Sequence, residues 1–302
     1  MKAVVLKEYG GVDNLLYEDV ETPRPGEGEI LVKVSSASVN PIDWKLRSGA
    51  LQEVFPLEFP AILGRDLAGE VAAFGGGVSG FAVGQRVMAL TNHTYAEYAI
   101  VKAKDIAPIP DGLSFEQAAA LPLVVLTGAQ LIESGLKLRP GQSVLLIGSV
   151  GSVGRSAAFV AAQHGLQVIA VVRGSQLAEA ESLGTLGLVA AEDEQGLSTF
   201  KEIDGVADTV GGTVALRMLK HLHPGGVFAS VLGVPKEAAH YDLRAERIMV
   251  QPDAARLFEL AEDVAKGRFK IPTAKVFQLS EIRKAHQLGE AGGAGGKIVL
   301  VP

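Results

Sequence analysis

The chain has 302 residues, and 28 lysines and arginines against 34 aspartates and glutamates give it a formal net charge of −6. This length predicts about two domains, the acidic balance argues against nucleic acid as the main partner, and the absence of cysteine excludes disulfides and Cys-ligated zinc or iron–sulfur sites. No segment reaches the roughly 18 apolar residues of a membrane span, and the apolar run at the N-terminus is short and followed by charges. We therefore expect a soluble, cytoplasmic protein without membrane insertion.

Short strands separated by turn residues are predicted over the first 122 residues. The apolar patterns place them at 1–7, 29–34, 69–74, 86–90 and 95–101. Ser114 is expected to cap a helical stretch over 114–136 that Pro122 interrupts. This half of the chain predicts a small β-rich domain.

Strands and helices alternate from residue 143 onward. Strands are predicted at 143–147, 167–172, 205–210 and 227–232, with helices at 155–164, 176–183 and 213–222. Such alternation favours a parallel sheet with right-handed crossovers. Beyond Pro235 the pattern weakens, and two amphipathic helices at 254–266 and 280–290 precede a last strand at 297–301.

A glycine-rich turn follows the first strand of this region and opens a helix, which is the context of a dinucleotide-binding motif. Gly148 would allow the tight turn, Gly151 would let a diphosphate approach the backbone, and Gly154 would let the helix pack on the sheet. The spacing is G-x-x-G-x-x-G rather than G-x-G-x-x-G, so an ordinary βα turn remains an alternative. The residues predicted to bind the cofactor here are Gly148, Ser149, Val150, Gly151, Ser152, Val153 and Gly154.

The end of the second strand of this region indicates which dinucleotide is bound. NAD-binding folds carry a carboxylate there for the ribose hydroxyls, whereas this chain continues with Arg173, Gly174 and Ser175. A guanidinium suits a 2′-phosphate in charge and geometry. These three residues therefore favour NADPH, unless Arg173 is an ordinary surface arginine that leaves the preference open.

Several stretches, in order along the chain, carry a resemblance to a known family. Residues 37–49 are similar to a signature N-P-x-D-x-K-x-R-x-G, residues 59–71 to an element F-P-x-x-x-G-x-D-x-x-G-x-V, and 208–212 and 296–300 match further stretches. The chain resembles the medium-chain dehydrogenase/reductase superfamily, in particular its zinc-free quinone oxidoreductase branch. The resemblance implies an α/β protein in which a GroES-like β-rich catalytic domain, 1–122 completed by 253–302, accompanies a Rossmann domain with a doubly wound parallel sheet that binds NADPH at 123–252.

The same resemblance implies that no metal is bound. In zinc-dependent relatives a cysteine stands where Asn40 stands here, Gly-His-Glu stands at residues 64–66, and a third ligand falls near Leu123. The three ligand positions, Asn40, Arg65 and Leu123, have lost zinc-binding side chains. Arg65 and Asp66 are instead expected to pair with each other or with neighbours.

The predicted reaction is hydride transfer from NADPH to a quinone or an α,β-unsaturated carbonyl compound. Asn40 is the first candidate to donate a hydrogen bond to the oxygen that gains charge, with Thr127 near the nicotinamide and Lys45 as a further catalytic candidate. The alternatives are that Asn40 only orders its turn, that the Thr127 hydroxyl bonds to the preceding helical turn, and that Lys45 is a solvated strand or turn residue.

The resemblance also assigns cofactor contacts outside the glycine turn. They fall at Asn40, Thr127, Val231, Leu232, Gly233 and Lys297. It implies a small-molecule substrate and allows a homodimer. Two alternative functions remain open at this point: a 2-enoyl thioester reductase, which would need a basic patch for the carrier phosphate, and an NADPH-binding sensor or structural protein without turnover.

Overall fold

A computed structural model describes residues 1–302, which divide into two compact units. Unit 1 comprises Met1–Leu123 and Pro252–Pro302, and unit 2 comprises Val124–Gln251. Each junction lies one residue from the boundary expected from the sequence. None of the helices combines the length and apolar character that crossing a membrane requires.

The strands of both units are numbered in chain order. They are β1 (Lys2–Leu6), β2 (Leu15–Asp19), β3 (Glu29–Val39), β4 (Ala61–Ile62), β5 (Asp66–Phe74), β6 (Arg86–Leu90), β7 (Tyr98–Lys102), β8 (Ile106–Pro108), β9 (Ser143–Ile147), β10 (Gln167–Val172), β11 (Gly187–Ala190), β12 (Ile203–Asp208), β13 (Leu222–Ser230), β14 (Leu243–Arg247), β15 (Thr273–Gln278) and β16 (Lys297–Val301).

The α-helices are numbered in the same way. They are α1 (Pro41–Arg47), α2 (Phe115–Ala119), α3 (Pro122–Gln130), α4 (Ser152–Gln163), α5 (Leu177–Glu181), α6 (Glu194–Leu197), α7 (Gly212–Met218), α8 (Ala254–Ala265) and α9 (Ile282–Ala291). A π-helical segment, Leu131–Leu136, follows α3 directly.

Unit 1 is built on a sheet in which the long strand β3 is central. The order is β15-β16-β3-β5-β6-β8, β7 also pairs with β3, and a smaller sheet has the order β2-β1-β4. β16 runs antiparallel to β3, with Ile298 opposite Val39 and Leu300 opposite Ala37. The C-terminal strand thus completes the sheet of the first unit and brings the start of β16 beside the end of β3.

Unit 2 contains a six-stranded parallel sheet with the order β11-β10-β9-β12-β13-β14. Numbered from its first strand this is 3-2-1-4-5-6, the order of a doubly wound Rossmann sheet, which confirms the predicted fold class. The order reverses between β9 and β12. Ligands of such sheets bind beyond the carboxyl ends of the strands at this point, which is where β9 runs into the glycine turn.

Two strands with weak apolar patterns, β14 and β15, were not predicted from the sequence. Only Phe277 is buried in β15, and β14 has no fully buried residue because it forms the edge of its sheet. The short helix α1 begins with Pro41 at its first position, and it carries Lys45. The expectation that Lys45 lies in a strand or turn was therefore wrong.

Candidate functional site

The glycine turn of unit 2 is held in a conformation that side chains would disrupt. Gly148 leaves β9 with a φ of 79°, and a Cβ at this position would lie 2.5 Å from Oγ1 of Thr209. A Cβ on Gly154 would overlap the carbonyl oxygen of Gly148. The first turn of α4 therefore packs directly on the backbone that leaves the strand, as was predicted for Gly154.

The N-terminus of α4 presents backbone donors rather than side chains. Gly151 is the N-cap residue and makes no side-chain cap hydrogen bond, and no acidic residue lies in the first helical turn. The first N–H groups of a helix have no partner within it, and the dipole adds partial positive charge there. The residues present fit a dinucleotide diphosphate, because Gly151 is exposed and has no side chain that would cover these donors.

Two predicted cofactor residues of the turn direct their side chains into unit 2. Ser149 is fully buried and its Oγ donates to the carbonyl oxygen of Leu146 at 2.6 Å. Val150 is buried against Val172 and Ala180. Only the backbone of these residues is available to a ligand, so the hydroxyl of Ser149 fastens the turn to β9.

The turn after β10 holds both a cation and an anion. Arg173 is exposed, its Nε lies 3.2 Å from Oε1 of Gln176, and it forms no ion pair. Oε2 of Glu192, two residues beyond the end of β11, accepts a hydrogen bond from the N–H of Gly174 at 3.1 Å. The sequence indicated Arg173 but not Glu192, because the parallel pairing of β10 with β11 brings the two together.

A buried carboxylate that sequence reasoning did not assign organises the loops after β12 and β13. Asp208 accepts hydrogen bonds from the N–H groups of Val210 and Gly211 at 2.9 and 2.8 Å, and from Oγ of Ser230 at 2.6 Å. Oγ of Ser230 in turn accepts from the N–H groups of Leu232 and Gly233. The predicted segment 231–233 is thus fixed by these two side chains, and Leu232 remains 39% exposed.

Thr127 lies on the helix that packs against the glycine turn. It is buried on α3, and a Cβ on the next residue, Gly128, would lie 2.7 Å from the carbonyl oxygen of Val153. This close packing holds Thr127 near the first turn of α4. Its predicted contact with the nicotinamide remains a prediction.

In unit 1, Asn40 and Lys297 meet although 257 residues separate them. Oδ1 of Asn40 accepts from Nζ of Lys297 at 2.5 Å, and Nδ2 of Asn40 donates to Oδ2 of Asp66 at 2.8 Å. Nζ of Lys297 also lies 3.4 Å from the carbonyl oxygen of Val39 and 3.3 Å from Oδ2 of Asp66. The antiparallel pairing of β16 with β3 brings these residues together.

Asp66 is the centre of this buried network. It is fully buried and also accepts hydrogen bonds from Oγ of Ser38 at 2.6 Å and from the N–H of Leu123 at 2.7 Å. A buried carboxylate is tolerated only when charges and donors of this kind compensate the lost hydration. Of the two expectations for Arg65 and Asp66, a pair with each other is wrong, and Asp66 instead pairs with Lys297 and other neighbouring groups.

The network bears on two predicted site residues. Both polar ends of the Asn40 amide have protein partners, and Asn40 is 1% exposed. The ammonium of Lys297 faces three protein acceptors. Contacts of Asn40 with a substrate oxygen, and of Lys297 with the cofactor, remain predictions that require these groups to exchange partners.

The residues at the expected metal positions do not fit zinc. Asn40 is hydrogen-bonded to an ammonium, Arg65 carries its own positive charge, and Leu123 has no donor atom. No group of three or more His, Cys, Asp or Glu side chains converges in the structure. Zinc selects thiolate, imidazole and carboxylate ligands, and two nearby cations would oppose it.

A second set of buried polar groups connects α1 to its neighbours in unit 1. Oδ2 of Asp43 accepts from the N–H of Asn40 at 2.8 Å and from the hydroxyl of Tyr95 at 2.7 Å, and burial raises the pKa of Asp43 to about 6. On α9, burial and the neighbouring charge of Arg47 lower the pKa of His286 to about 3. Nη1 of Arg47 lies 3.2 Å from Nδ1 of His286. These groups anchor the short helix that follows Asn40.

A cavity of about 210 Å³ lies on the other side of α1, within unit 1. Its walls are mostly apolar, with Ile42, Phe55 and Ile62 among them, and its polar part comes from Arg65, Asn92 and His93. Lys45, half-buried on the same helix, does not line this cavity. Sequence reasoning missed the cavity because its residues come from separate segments.

Comparison with known proteins identifies the family. The alcohol dehydrogenase GroES-like domain matches residues 26–111, and the zinc-binding dehydrogenase family matches residues 188–300. The structure of a quinone oxidoreductase from Coxiella burnetii is similar with a TM-score of 0.89 and 31% identity, over 100% of this chain and 99% of that one. The chain belongs to the medium-chain dehydrogenase/reductase superfamily. It is therefore an oxidoreductase, which confirms the predicted enzyme class.

Other members of the superfamily extend this comparison. A 2-methylene-furan-3-one reductase of Solanum lycopersicum is 31% identical over 100% of this chain and 79% of its own. A mycobacterial protein solved in complex with NADPH is 28% identical, with a TM-score of 0.86 over the whole of both chains. The match to a chloroplastic quinone-oxidoreductase homolog of Spinacia oleracea, at 34% identity, spans 59% of that relative and 61% of this chain.

Proposed function

We propose that this protein is an NADPH-dependent reductase that transfers hydride to quinones or α,β-unsaturated carbonyl compounds without a metal ion. The observation that carries the proposal is the buried network of Asn40, Asp66 and Lys297. Asn40 and Asp66 lie at positions where zinc-dependent relatives carry Cys and the Glu of Gly-His-Glu, and here both are hydrogen-bonded to protein groups, Lys297 among them. A cytoplasmic location and a homodimer remain predictions from the sequence.

The choice of NADPH rests on the two turns of unit 2. The backbone N–H groups at the start of α4 would bind the diphosphate, and the exposed guanidinium of Arg173 would bind the 2′-phosphate. The similar mycobacterial protein that was solved with NADPH supports the same choice. When bound, NADPH supplies the hydride, and the protein supplies position and polarity.

Other residues of unit 2 would act by holding these turns. Gly148 and Gly154 keep the turn compact, and Oγ of Ser149 fastens it to β9. Asp208 and Ser230 fix the loops after β12 and β13, where ligands of doubly wound sheets bind. Substituting these residues should weaken cofactor binding through the backbone they hold.

The proposed acceptors share one chemical feature. When hydride adds to a carbon of a quinone or an enone, negative charge develops on a carbonyl oxygen, which then takes a proton from water. A positioned cation or hydrogen-bond donor lowers the barrier to such a step. The names of the Coxiella and tomato relatives correspond to these two kinds of acceptor.

The test is loss of NADPH absorbance with protein that has been dialysed against EDTA. The acceptors are 1,4-benzoquinone, cyclohex-2-enone and crotonyl-CoA, each measured with NADPH and with NADH. We expect turnover of the quinone or the enone with a preference for NADPH, unchanged when zinc is added. Turnover of crotonyl-CoA alone would favour an enoyl thioester reductase, and NADPH binding without any turnover would contradict catalysis.

A further inference from the structure

Arg65 is the cation that lines the cavity of unit 1. It directly precedes β5, next to Asp66, and it is half-buried. Nε of Arg65 is buried and has no hydrogen-bond partner, and its guanidinium forms no ion pair with a carboxylate. A buried donor that lacks an acceptor costs free energy that a bound ligand recovers.

The fully buried cations of unit 1 are already paired. Lys297 contacts Asp66 and Asn40, and Arg47 pairs with Glu290 at 2.7 Å. Neither has an unused charge for a substrate. The positive charge that remains available beside a cavity is that of Arg65.

The backbone around Arg65 is held tightly. Gly64 has a φ of 97°, and a Cβ on it would overlap Oγ1 of Thr94. The carbonyl oxygen of Arg65 accepts from the N–H of Thr91 at 2.9 Å. On the same rim His93 has a φ of 63°, unusual for a residue other than glycine, and its Nδ1 donates to the carbonyl oxygen of Ile62 at 2.8 Å. The rim is thus positioned before any ligand arrives.

We propose that Arg65 binds the carbonyl oxygen of the acceptor and stabilises the negative charge that develops there, in a cavity that takes a single ring. The proposal rests on the proposed function. The hydride brings two electrons to an acceptor carbon, the displaced π electrons move to the oxygen, the guanidinium pairs with this oxygen, and water then protonates it. The apolar side chains of Ile42, Phe55 and Ile62 would contact the ring.

The size of the cavity limits the acceptor. Its volume of about 210 Å³ lies below the range of roughly 300–1,000 Å³ that is typical of sites for larger organic ligands. A monocyclic quinone or cyclic enone suits this volume better than a fused-ring quinone. We therefore expect KM for 9,10-phenanthrenequinone to exceed that for 1,4-benzoquinone.

The first test needs no cofactor and uses 4-nitrophenol as a single-ring probe of the charged oxygen. At a pH below the probe's pKa, wild-type protein should raise the phenolate absorbance, because a nearby guanidinium favours the anion. Arg65→Met should abolish this rise, and Arg65→Lys should retain part of it. Arg24→Met, which removes an exposed charge elsewhere in unit 1, should behave as wild type.

Two results of this titration would overturn the assignment of Arg65. One is an equal rise with wild type and with Arg65→Met, and the other is no change with wild type. Melting temperature and circular dichroism of each variant establish that it is folded. Because Arg65 makes no hydrogen bond through its side chain, Arg65→Met should keep the wild-type melting temperature.

The second test is turnover. Arg65→Met should lower kcat/KM for 1,4-benzoquinone by about 10²- to 10³-fold, the usual effect of removing one oxyanion donor, and leave the dissociation constant of NADPH unchanged. Normal turnover in Arg65→Met would refute the role of Arg65 and leave the proposed function intact. A wild-type protein that reduces no acceptor would refute the proposed function, and the nitrophenol titration would still test the site.

Discussion

The glycine turn of unit 2 and the buried network of Asn40, Asp66 and Lys297 in unit 1 differ in whether their hydrogen-bonding groups have protein partners. At the turn, side chains are absent or directed inward, and backbone donors at the start of α4 face outward without partners in the helix. In the network, Asp66 alone accepts hydrogen bonds from four donors. The donors of the turn have no partner in the helix and are left for solvent or a ligand, whereas the groups of the network are satisfied within the protein.

This difference shows what each region contributes. Donors without protein partners are available to a ligand, and a network whose donors and acceptors are paired forms a framework that fixes the neighbouring segments. Asn40 and Asp66 belong to the framework, and Arg65, which lies beside Asp66 in sequence, has the unpaired charge. The following predictions test this division between the two regions.

The largest effect should follow Lys297→Met. The substitution leaves the carboxylate of Asp66 and the oxygen of Asn40 buried without their cation, and breaking a buried ion pair costs about 3–5 kcal/mol. Urea unfolding followed by fluorescence of Trp44, the single tryptophan, reports on unit 1. The double variant Asp66→Asn/Lys297→Met should recover part of the loss, and a loss below about 1 kcal/mol would contradict the framework role.

Two alanine substitutions should separate packing from binding in the glycine turn. A Cβ on Gly154 meets backbone, so Gly154→Ala should destabilise unit 2 by about 1–3 kcal/mol in thermal unfolding. Gly151 has a negative φ, and its added Cβ lies 3.2 Å from a single neighbour. Gly151→Ala should therefore keep the stability and weaken NADPH binding about tenfold by calorimetry. Equal affinity in Gly151→Ala and wild type would contradict diphosphate binding here.

The buried acid and imidazole of unit 1 should give opposite pH dependences. Because the pKa of Asp43 rises from 3.8 to about 6 on folding, its contribution to stability is complete below about pH 4 and is lost as the pH rises towards 6. The pKa of His286 falls from 6.5 to about 3, so its contribution is complete above pH 6.5 and is lost as the pH falls.

Single substitutions of these two residues should therefore change the pH dependence of the free energy of unfolding in opposite directions. Between about pH 4 and 6, Asp43→Asn should make the free energy of unfolding rise with pH more steeply than in wild type, by about 1.4 kcal/mol per pH unit. His286→Gln should change the slope by a similar amount in the opposite sense. Urea unfolding at several pH values measures both, and parallel profiles would show that neither group titrates as described.

The smallest effect should concern the choice between NADPH and NADH. Arg173 is exposed, so Arg173→Ala should weaken NADPH binding by about 1 kcal/mol, roughly five- to tenfold, and leave NADH binding nearly unchanged. Isothermal titration with each nucleotide measures the ratio. Equal weakening of both nucleotides would remove the argument from Arg173.

Glu192→Gln should change the preference for NADPH in the opposite direction to Arg173→Ala. The carboxylate of Glu192 accepts a hydrogen bond from the N–H of Gly174, and there it would repel the 2′-phosphate of a bound NADPH. Removing this charge should raise the preference for NADPH about twofold. A shift towards NADH would indicate that the carboxylate lies away from the phosphate.

The sequence predicted those features of the fold that a local pattern of residues determines. The buried strand β9, the glycine turn and the parallel sheet follow from apolar runs, glycine spacing and the alternation of strands with helices, and Arg173 follows from its place after β10. β14 and β15 were missed because sheet-edge strands with exposed side chains carry no apolar alternation. The family resemblance, rather than periodicity, indicated that β16 returns to the first unit.

The pairings of the site were less accessible to sequence reasoning. Lys297 reaches Asn40 and Asp66 only because β16 lies beside β3, and no local pattern encodes a contact over 257 residues. The adjacency of Arg65 and Asp66 suggested a pair as one alternative, but Asp66 is fully buried at the start of β5, whereas Arg65 precedes the strand and lines the cavity. The buried Asp66 therefore pairs with Lys297, which is distant in sequence, and Arg65 lies beside the cavity without a carboxylate partner.

The most direct test of metal-free hydride transfer is to follow the hydride from NADPH into the product. EDTA-dialysed protein is mixed with NADPH that carries deuterium at the transferable position and with cyclohex-2-enone, and the product is analysed by NMR. We expect one deuterium at the β-carbon and a solvent-derived proton at the α-carbon, at the same rate with and without added zinc. Product without deuterium, or deuterium transfer only after zinc is added, would contradict metal-free hydride transfer.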